Sequence, residues 1–288
     1  MKIGIIANIQ KPLVVETVHP FLAWLAERGH PVVIHHELAD LLESKPGRTE
    51  SVAREDLAEA SEVLVSMGGD GTMLAAARLV GSVETPILGV NLGGLGFLAE
   101  VSSEELYTRM QDVLDGKYEI ERRMVLQARI SNDPKHTYYA LNDVVLDRGG
   151  SPRVISIDVS IDNQLFTRFN SDGVIIATPT GSTAYSLSAW GPIVSPSLES
   201  IVLTPLCPHS LTERPTVLPP TSCIELKAHT KDIEAFLNID GQIRFQIEDE
   251  ATVEIQKGDY KVNLITFPDH SFFDILRKKL QWGTLPRK

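Results

Sequence analysis

Glu62-Val63-Leu64-Val65-Ser66 is short, apolar and β-branched, and Met67-Gly68-Gly69-Asp70-Gly71-Thr72 follows it directly. The first stretch reads as a buried strand. Beyond the turn, Met73-Leu74-Ala75-Ala76-Ala77-Arg78 carries strong helix formers, with no breaker before Gly81. Three glycines and one carboxylate therefore occupy the turn from a parallel strand into a helix, which commits this part of the chain to an α/β layer. Glycine in such a turn admits positive φ and lets a ligand approach the backbone without meeting a Cβ. A helix beginning at about residue 71 or 72 aims free N–H groups and its positive dipole end at that ligand, which suits a phosphate. Asp70 is the exception, because a carboxylate repels phosphates. It fits if it handles a proton, a hydroxyl group or a metal ion beside them. The plain alternative is an ordinary turn in which Asp70 caps the helix.

Strand and helix signals alternate through the first hundred residues, as expected of a mainly parallel, Rossmann-like sheet. Strands are predicted at about 2–8, 32–35, 62–66 and 86–90. A helix is predicted from Phe21 to Arg28, with Gly29 at C′ and Pro20 in its first turn. Residues 38–60 read as a mobile surface loop flanked by helix. His30, His35 and His36 lack a carboxylate or cysteine at ligand spacing and read as a strand edge. Gly94-Leu95-Gly96-Phe97-Leu98-Ala99 satisfies the Gly-x-Gly-x-x-Gly/Ala dinucleotide fingerprint. It does not follow the first strand of its unit, and a helix at about 103–115 stands where the acid-ended strand should be. The glycines are read instead as the wall of a ligand cleft.

From residue 118 strand signals dominate: about 119–131, 137–147, 154–161, 165–170, 173–178, 200–204, 222–228, 233–239, 242–248, 251–256 and 260–266. Asp162-Asn163 and Asp240-Gly241 stand where hairpin turns belong. This pattern predicts an all-β antiparallel sandwich. The domains are placed at 1–100 and 101–268, with a helix in 269–288 packing back through an apolar stripe at 272, 273, 276 and 280. Three stretches of this half are too polar for packing alone. Asn142-Asp143 interrupts a strand, so one of the pair points inward unless a bulge intervenes. Asp172-Gly173 opens an uncharged strand. That strand runs into Thr178-Pro179-Thr180-Gly181-Ser182-Thr183-Ala184-Tyr185-Ser186-Leu187-Ser188 at the start of a helix. A cap there, Ser182 or Thr183, needs one hydroxyl, and the surplus favours ligand binding. Asp240-Gly241-Gln242 reads as a turn.

A net charge of −11 argues against broad nucleic-acid or anionic-membrane binding. Two cysteines, Cys207 and Cys223, are too few for a disulfide framework. The N-terminal apolar run stops at Lys11-Pro12, short of a signal peptide, and no run reaches membrane-span length. A cytoplasmic protein is expected.

Taken together, these residues resemble the NAD kinase family. Gly68-Gly69-Asp70-Gly71 is similar to that family's signature loop, which phosphofructokinases and diacylglycerol-type lipid kinases partly share. The run from Thr178 to Tyr185 resembles its second and more specific motif, with 91–98 and Asn142-Asp143 falling in family order between them. The resemblance covers nearly the whole chain. It implies a two-domain fold with the dinucleotide in the cleft, and a homodimer or homotetramer. It also implies transfer of the ATP γ-phosphoryl group to the 2′-hydroxyl of the adenosine ribose of NAD, with Mg²⁺ accompanying ATP and no firm protein metal site. By position, Asp70 is set against that hydroxyl, and Gly68, Gly69, Gly71 and Thr72 form the phosphate loop. Phe97 lies near the adenine, Asn142 and Asp143 are ribose and metal-side contacts, and Asp172 and Asn170 lie at the nicotinamide end. Thr183, Ala184, Tyr185, Ser186, Leu187 and Ser188 line the NAD site, with Arg153 and Gln242 on further contact positions. The chain departs from the family pattern at Asp143 (usually Glu), at Asn170 (often Arg) and at Trp190 (commonly Gly), where a local packing difference is expected.

Physically, phosphoryl transfer depends on positioning and charge neutralisation. A ribose hydroxyl is a poor nucleophile until hydrogen-bonded to a base, and the Asp70 carboxylate can accept its proton. Three rivals are an NAD-dependent oxidoreductase using the glycines at 94 and 96, a kinase acting on a lipid or sugar, and a non-catalytic NAD sensor. Assaying NADP formation from ATP, Mg²⁺ and NAD separates them.

Overall fold

The structure, a computed structural model, describes residues 1–11, 13–42, 44–94, 96–230 and 234–283. Pro12, Leu95 and Ile233, which figure in the sequence reading, lie outside the described residues. The chain divides into two compact units, Met1–Arg122 with Val262–Lys288, and Arg123–Lys261. No helix among the described residues is long and apolar enough to cross a membrane.

In chain order the first unit contains β1 (Ile3–Ala7), α1 (Leu13–Glu27), β2 (Val32–His35), α2 (His36–Leu41), β3 (Thr49–Val52), β4 (Val63–Gly68), α3 (Asp70–Val80), β5 (Ile87–Asn91), β6 (Val101–Ser102) and α4 (Leu106–Leu114). Its strands run parallel in the order β5-β4-β1-β2-β3, with β6 beside β5. Every residue of β1, β2, β4 and β5 is buried, as helices on both faces of a parallel sheet require. From β1 the chain builds β2 and β3 on one side and β4 and β5 on the other. The loops after β1 and β4 therefore diverge at the carboxyl edge, the switch point at which open α/β sheets hold ligands.

Helix α1 begins at Leu13, and Pro20 lies inside it rather than in its first turn. Val14 and Val18 are buried on the same stripe as Phe21, Leu22 and Leu25. An interior proline costs about 3 kcal/mol; two fully buried valines contribute about 1.5–3 kcal/mol each and outweigh it. Residues 38–60 are not simply a loop: α2 covers 36–41, and β3 pairs in parallel with β2 from Val32↔Thr49 to His35↔Val52. The division between the units follows α4 rather than residue 100, because Leu106, Met110 and Val113 share one core with Ile3, Phe21 and Val65. Ile265 and Phe267 close that core.

The remaining strands are β7 (Glu119–Ile130), β8 (Asp133–Ala140), β9 (Asp143–Asp147), β10 (Ile155–Ile161), β11 (Gln164–Ser171) and β12 (Gly173–Ala177). The one-turn α5 (Tyr185–Ser188) follows, then β13 (Ile201–Leu206), β14 (Thr216–Leu218), β15 (Ile224–His229), β16 (Ala235–Ile239), β17 (Ile243–Ile247) and β18 (Thr252–Thr266). In the second unit β11-β10-β15-β18 form one antiparallel layer and β14-β13-β12-β9-β16-β17 another. Their facing residues, among them Leu146, Ile157, Val174, Leu226 and Leu237, make a single sandwich core. Strands β10 and β16 alternate buried and half-buried, whereas β12 is buried throughout because Val194 and its neighbours cover the outer residues Ile175 and Ala177.

The two strand readings at 251–256 and 260–266 are one strand, β18. The reading at 137–147 is two, broken at Leu141-Asn142. Helix α6 (Phe272–Leu280) returns to the first unit, but its buried residues are Ile275 and Leu276, and Phe273 is 60% exposed. The buried side therefore runs through 272, 275, 276 and 280, and of the expected stripe only Phe273 faces solvent.

Candidate functional site

At the carboxyl edge of the first unit, β4 ends at Gly68, Gly69 is the extended N-cap, and α3 begins at Asp70. A Cβ on Gly68 would lie 2.0 Å from Thr72 Oγ1, so the Thr72 side chain folds against the glycine. Asp70 does not cap its own helix. The Phe97 N–H donates to Asp70 Oδ2 at 3.0 Å, and the Leu98 N–H donates to Oδ1 at 3.0 Å. Gly96 is what admits the carboxylate: a Cβ there would stand 2.2 Å from Oδ1. The glycines after β5 thus seat an acid. Asn91 shapes their turn, its amide donating to the Gly94 carbonyl at 2.7 Å while its Oδ1 accepts from Gly93 N–H at 2.9 Å. Each oxygen of Asp70 keeps lone pairs beyond these bonds, so the half-buried carboxylate can still accept a proton in a fixed orientation. Phe97, which supplies one amide, has Lys279 Nζ of α6 5.0 Å above its ring centroid.

The sequence reading missed Lys11. Asn8 Oδ1 accepts from the Gln10 N–H at 3.1 Å and the Asn8 carbonyl accepts from the Lys11 N–H at 3.0 Å, fixing the turn after β1. From there Lys11 Nζ reaches to 3.8 Å from where a Cβ on Gly69 would stand, and to 3.5 Å from one on Gly93. Separately, a cavity of about 430 Å³ opens beside Asn91 and Gly93, walled by α4 and α6.

In the second unit Asn142 and Asp143 stand where β8 gives way to β9. The Asp240 carboxylate accepts three backbone N–H bonds there, from Leu141 at 3.0 Å, Asn142 at 2.7 Å and Asp143 at 3.1 Å. Asp240 is therefore more than a turn residue. Its φ of 52° and that of Gly241, 63°, bend the β16–β17 hairpin so that the carboxylate reaches back. Asp143 is 5% exposed, and burial first, then the Asp240 charge, raise its pKa to about 7 against the lowering effect of the Tyr185 N–H.

Most of the hydroxyls in 178–183 serve the chain itself. Thr178 Oγ1 donates to the Leu141 carbonyl and accepts from the Gly181 N–H. Ser182 Oγ donates to the Pro179 carbonyl and accepts from the Val194 N–H. Thr183 Oγ1 donates to the Thr180 carbonyl. None caps a helix, and the expected helix is the single turn α5. The surplus of hydroxyls is explained by a backbone without regular partners, which must be satisfied by side chains. Gly181 lets that backbone approach Asn142, whose carbonyl would lie 2.0 Å from an added Cβ. Ser186 is fully buried, its hydroxyl 2.9 Å from Thr204 Oγ1. Tyr185 and Ser188 are exposed, and Thr183, Ala184 and Leu187 half-buried.

Tyr185 also lines a second cavity, of about 370 Å³, with Asp147, Arg148, Asp172, Asn238 and Arg244. Arg148 Nε donates to Asp172 Oδ1 at 2.6 Å, and Asn238 Nδ2 donates to Asp147 Oδ2 at 2.6 Å. Asn170, exposed on β11, accepts from the Ser156 hydroxyl, and neither it nor Arg153 lines this cavity. Gln242 lies exposed in the Asp240 turn. Trp190 is 91% exposed with φ 65°, so its difference from a glycine is one of backbone conformation rather than of packing.

Residues 3–118 match the family of ATP-NAD kinase N-terminal domains, and residues 141–267 that of ATP-NAD kinase C-terminal domains. The chain is 42% identical over 282 residues to an NAD kinase of Solibacter usitatus, covering 97% of each. It is 38% identical over 284 residues to one of Geobacter sulfurreducens, covering 98% of this chain and 99% of that one. Among solved structures, yeast NADH kinase complexed with NADH superposes with a TM-score of 0.91 at 29% identity, covering 100% of this chain and 89% of that one. An NAD kinase from Archaeoglobus fulgidus in complex with ATP superposes with a TM-score of 0.77 at 25% identity, covering 98% and 99%.

Proposed function

The chain belongs to the NAD kinase family and transfers the γ-phosphoryl group of ATP to the 2′-hydroxyl of the adenosine ribose of NAD, giving NADP; on that premise we propose that Asp70 takes the hydroxyl proton. As the ribose oxygen bonds to the γ-phosphorus, the bond from that phosphorus to the β–γ bridging oxygen breaks. ADP departs with the electron pair, and the hydroxyl proton passes to the carboxylate. The observation that carries this role is the pair of amides from Phe97 and Leu98, which hold both oxygens of Asp70 and so fix the direction of its free lone pairs. Mg²⁺ comes with ATP as part of the substrate and neutralises phosphate charge.

The first unit contributes the phosphate loop, Gly68, Gly69, Gly71 and Thr72, with Asp70 and Phe97. On the second unit we propose Asn142, Asp143, Asp172, Thr183, Ala184, Tyr185 and Ser188 as NAD contacts, supported by the exposure of Tyr185 and Ser188 and by the cavity that Tyr185 and Asp172 share. A homodimer or homotetramer is the assembly the family resemblance implies, and light scattering tests it. Cysteines without a disulfide between them support the cytoplasm.

Asp70→Asn is the test of the base. It should keep NAD affinity by calorimetry within about twofold and lose about 10²–10⁴ in NADP formation. Near-normal turnover would remove Asp70 from the role.

A further inference from the structure

We propose that Lys11 is a catalytic residue of this kinase, its ammonium binding the terminal phosphates of ATP and neutralising the charge that develops as the γ-phosphoryl group moves. The inference rests on the reading that ATP phosphates lie at the glycine loop.

Four observations carry it. Strand β1 lies between β2 and β4, so the loops that leave β1 and β4 part at the switch point, and Lys11 and Gly69 stand on those two loops. The ammonium lies over two glycines from different loops, Gly69 and Gly93, where the lack of a Cβ lets a ligand approach the cation closely. Among the described residues no carboxylate pairs with Lys11, so its charge remains available to a ligand. The turn that presents it is held by Asn8 through both its side chain and its carbonyl.

The alternative resting place for a polyanion beside the same loops is the cavity next to Asn91 and Gly93. Its walls carry Glu100, Glu104, Glu105, Asp269 and Asp274 against only Arg109, His270 and Lys278. That balance repels phosphates, which leaves the Lys11 side of the loop for them. There an ammonium is worth more to the transition state than to bound ATP, because negative charge gathers on the β–γ bridging oxygen as its bond to phosphorus breaks. The proton balance is unchanged: the hydroxyl hydrogen goes to Asp70, and Lys11 stays protonated throughout.

The test compares Lys11→Met and Lys11→Arg with Asp70→Asn in the full-length protein. Lys11→Met should lower kcat/KM for ATP about 100-fold, and Lys11→Arg should recover part of it. The KM for NAD should stay within about twofold of wild type, which also shows that the variant is folded. By calorimetry, wild type should prefer β,γ-imido-ATP over AMP, and Lys11→Met should flatten that preference while leaving AMP affinity unchanged. Wild-type kcat/KM for ATP in Lys11→Met would overturn the proposal, as would an equal loss of affinity for AMP and the imido analogue. An inactive Lys11→Met beside an active Asp70→Asn would keep Lys11 and discard the base.

Discussion

The Asp70 carboxylate rests directly on Gly96, at a place where a β-carbon would come within 2.2 Å of Oδ1 and 3.0 Å of Cγ. Backbone amides one and two residues later then close on its oxygens. Gly96→Ala must therefore turn the acid away from them. A displacement of about 1 Å at a reacting group can cost roughly 100-fold in rate. We expect kcat for NADP formation to fall by about that factor in steady-state assays, with the ATP KM little changed.

Asp240 gathers the backbone ahead of β9. Asp240→Ala leaves the N–H groups of Leu141, Asn142 and Asp143 without their acceptor. Unsatisfied buried donors cost about 1–3 kcal/mol each, so a loss of at least about 3 kcal/mol is expected in denaturant titrations. Asp240→Asn keeps one acceptor oxygen and should lose less. Both should raise the KM for NAD, because Asn142 and Asp143 are then no longer held.

Asp143 gives stability a pH dependence of definite sign. Its folded pKa, about 7, lies above that of an unfolded aspartate, so the folded state holds the proton longer. Between about pH 4 and 7 the unfolded chain binds fewer protons, and stability falls as pH rises, levelling off above 7. Asp143→Asn removes this dependence. Its melting temperature relative to wild type should increase from pH 5 to pH 8, and a constant difference would show that Asp143 ionises freely in the fold.

Trp190 holds a φ of 65° with almost no packing. A left-handed residue with a Cβ costs roughly 1–2 kcal/mol, which glycine avoids. Trp190→Gly should therefore be more stable than Trp190→Ala by about 1 kcal/mol in chemical denaturation. That is the reverse of the order found in ordinary helices and strands.

The parallel half was legible wherever a strand is buried on both faces, since β1, β2, β4 and β5 are then apolar at nearly every position. Strand β3 was not, because its half-buried edge sequence, Thr49-Glu50-Ser51-Val52, carries no such signal. Pro20 misled through a local rule that tertiary burial overrides. At the site, Asp70 stood out because an acid among glycines in a strand-to-helix turn has few uses. Its dependence on Gly96 did not, since that contact exists only once β4 and β5 lie side by side. Lys11 is distant in sequence from Gly69, and the pairing of β1 with β4 alone makes them neighbours. Asp240 offered no clue at all: an Asp-Gly turn looks the same whether its carboxylate faces water or three amides.

The first unit is interrupted, with Arg123–Lys261 inserted before Val262 resumes it. A ribosome that has synthesised only as far as residue 122 has released a layer still missing Ile265 and Phe267 from its interior. The sandwich, encoded without a break, can condense while that layer waits. The core of the first unit is therefore complete only when the stretch carrying Ile265 and Phe267 has joined the residues before Arg123.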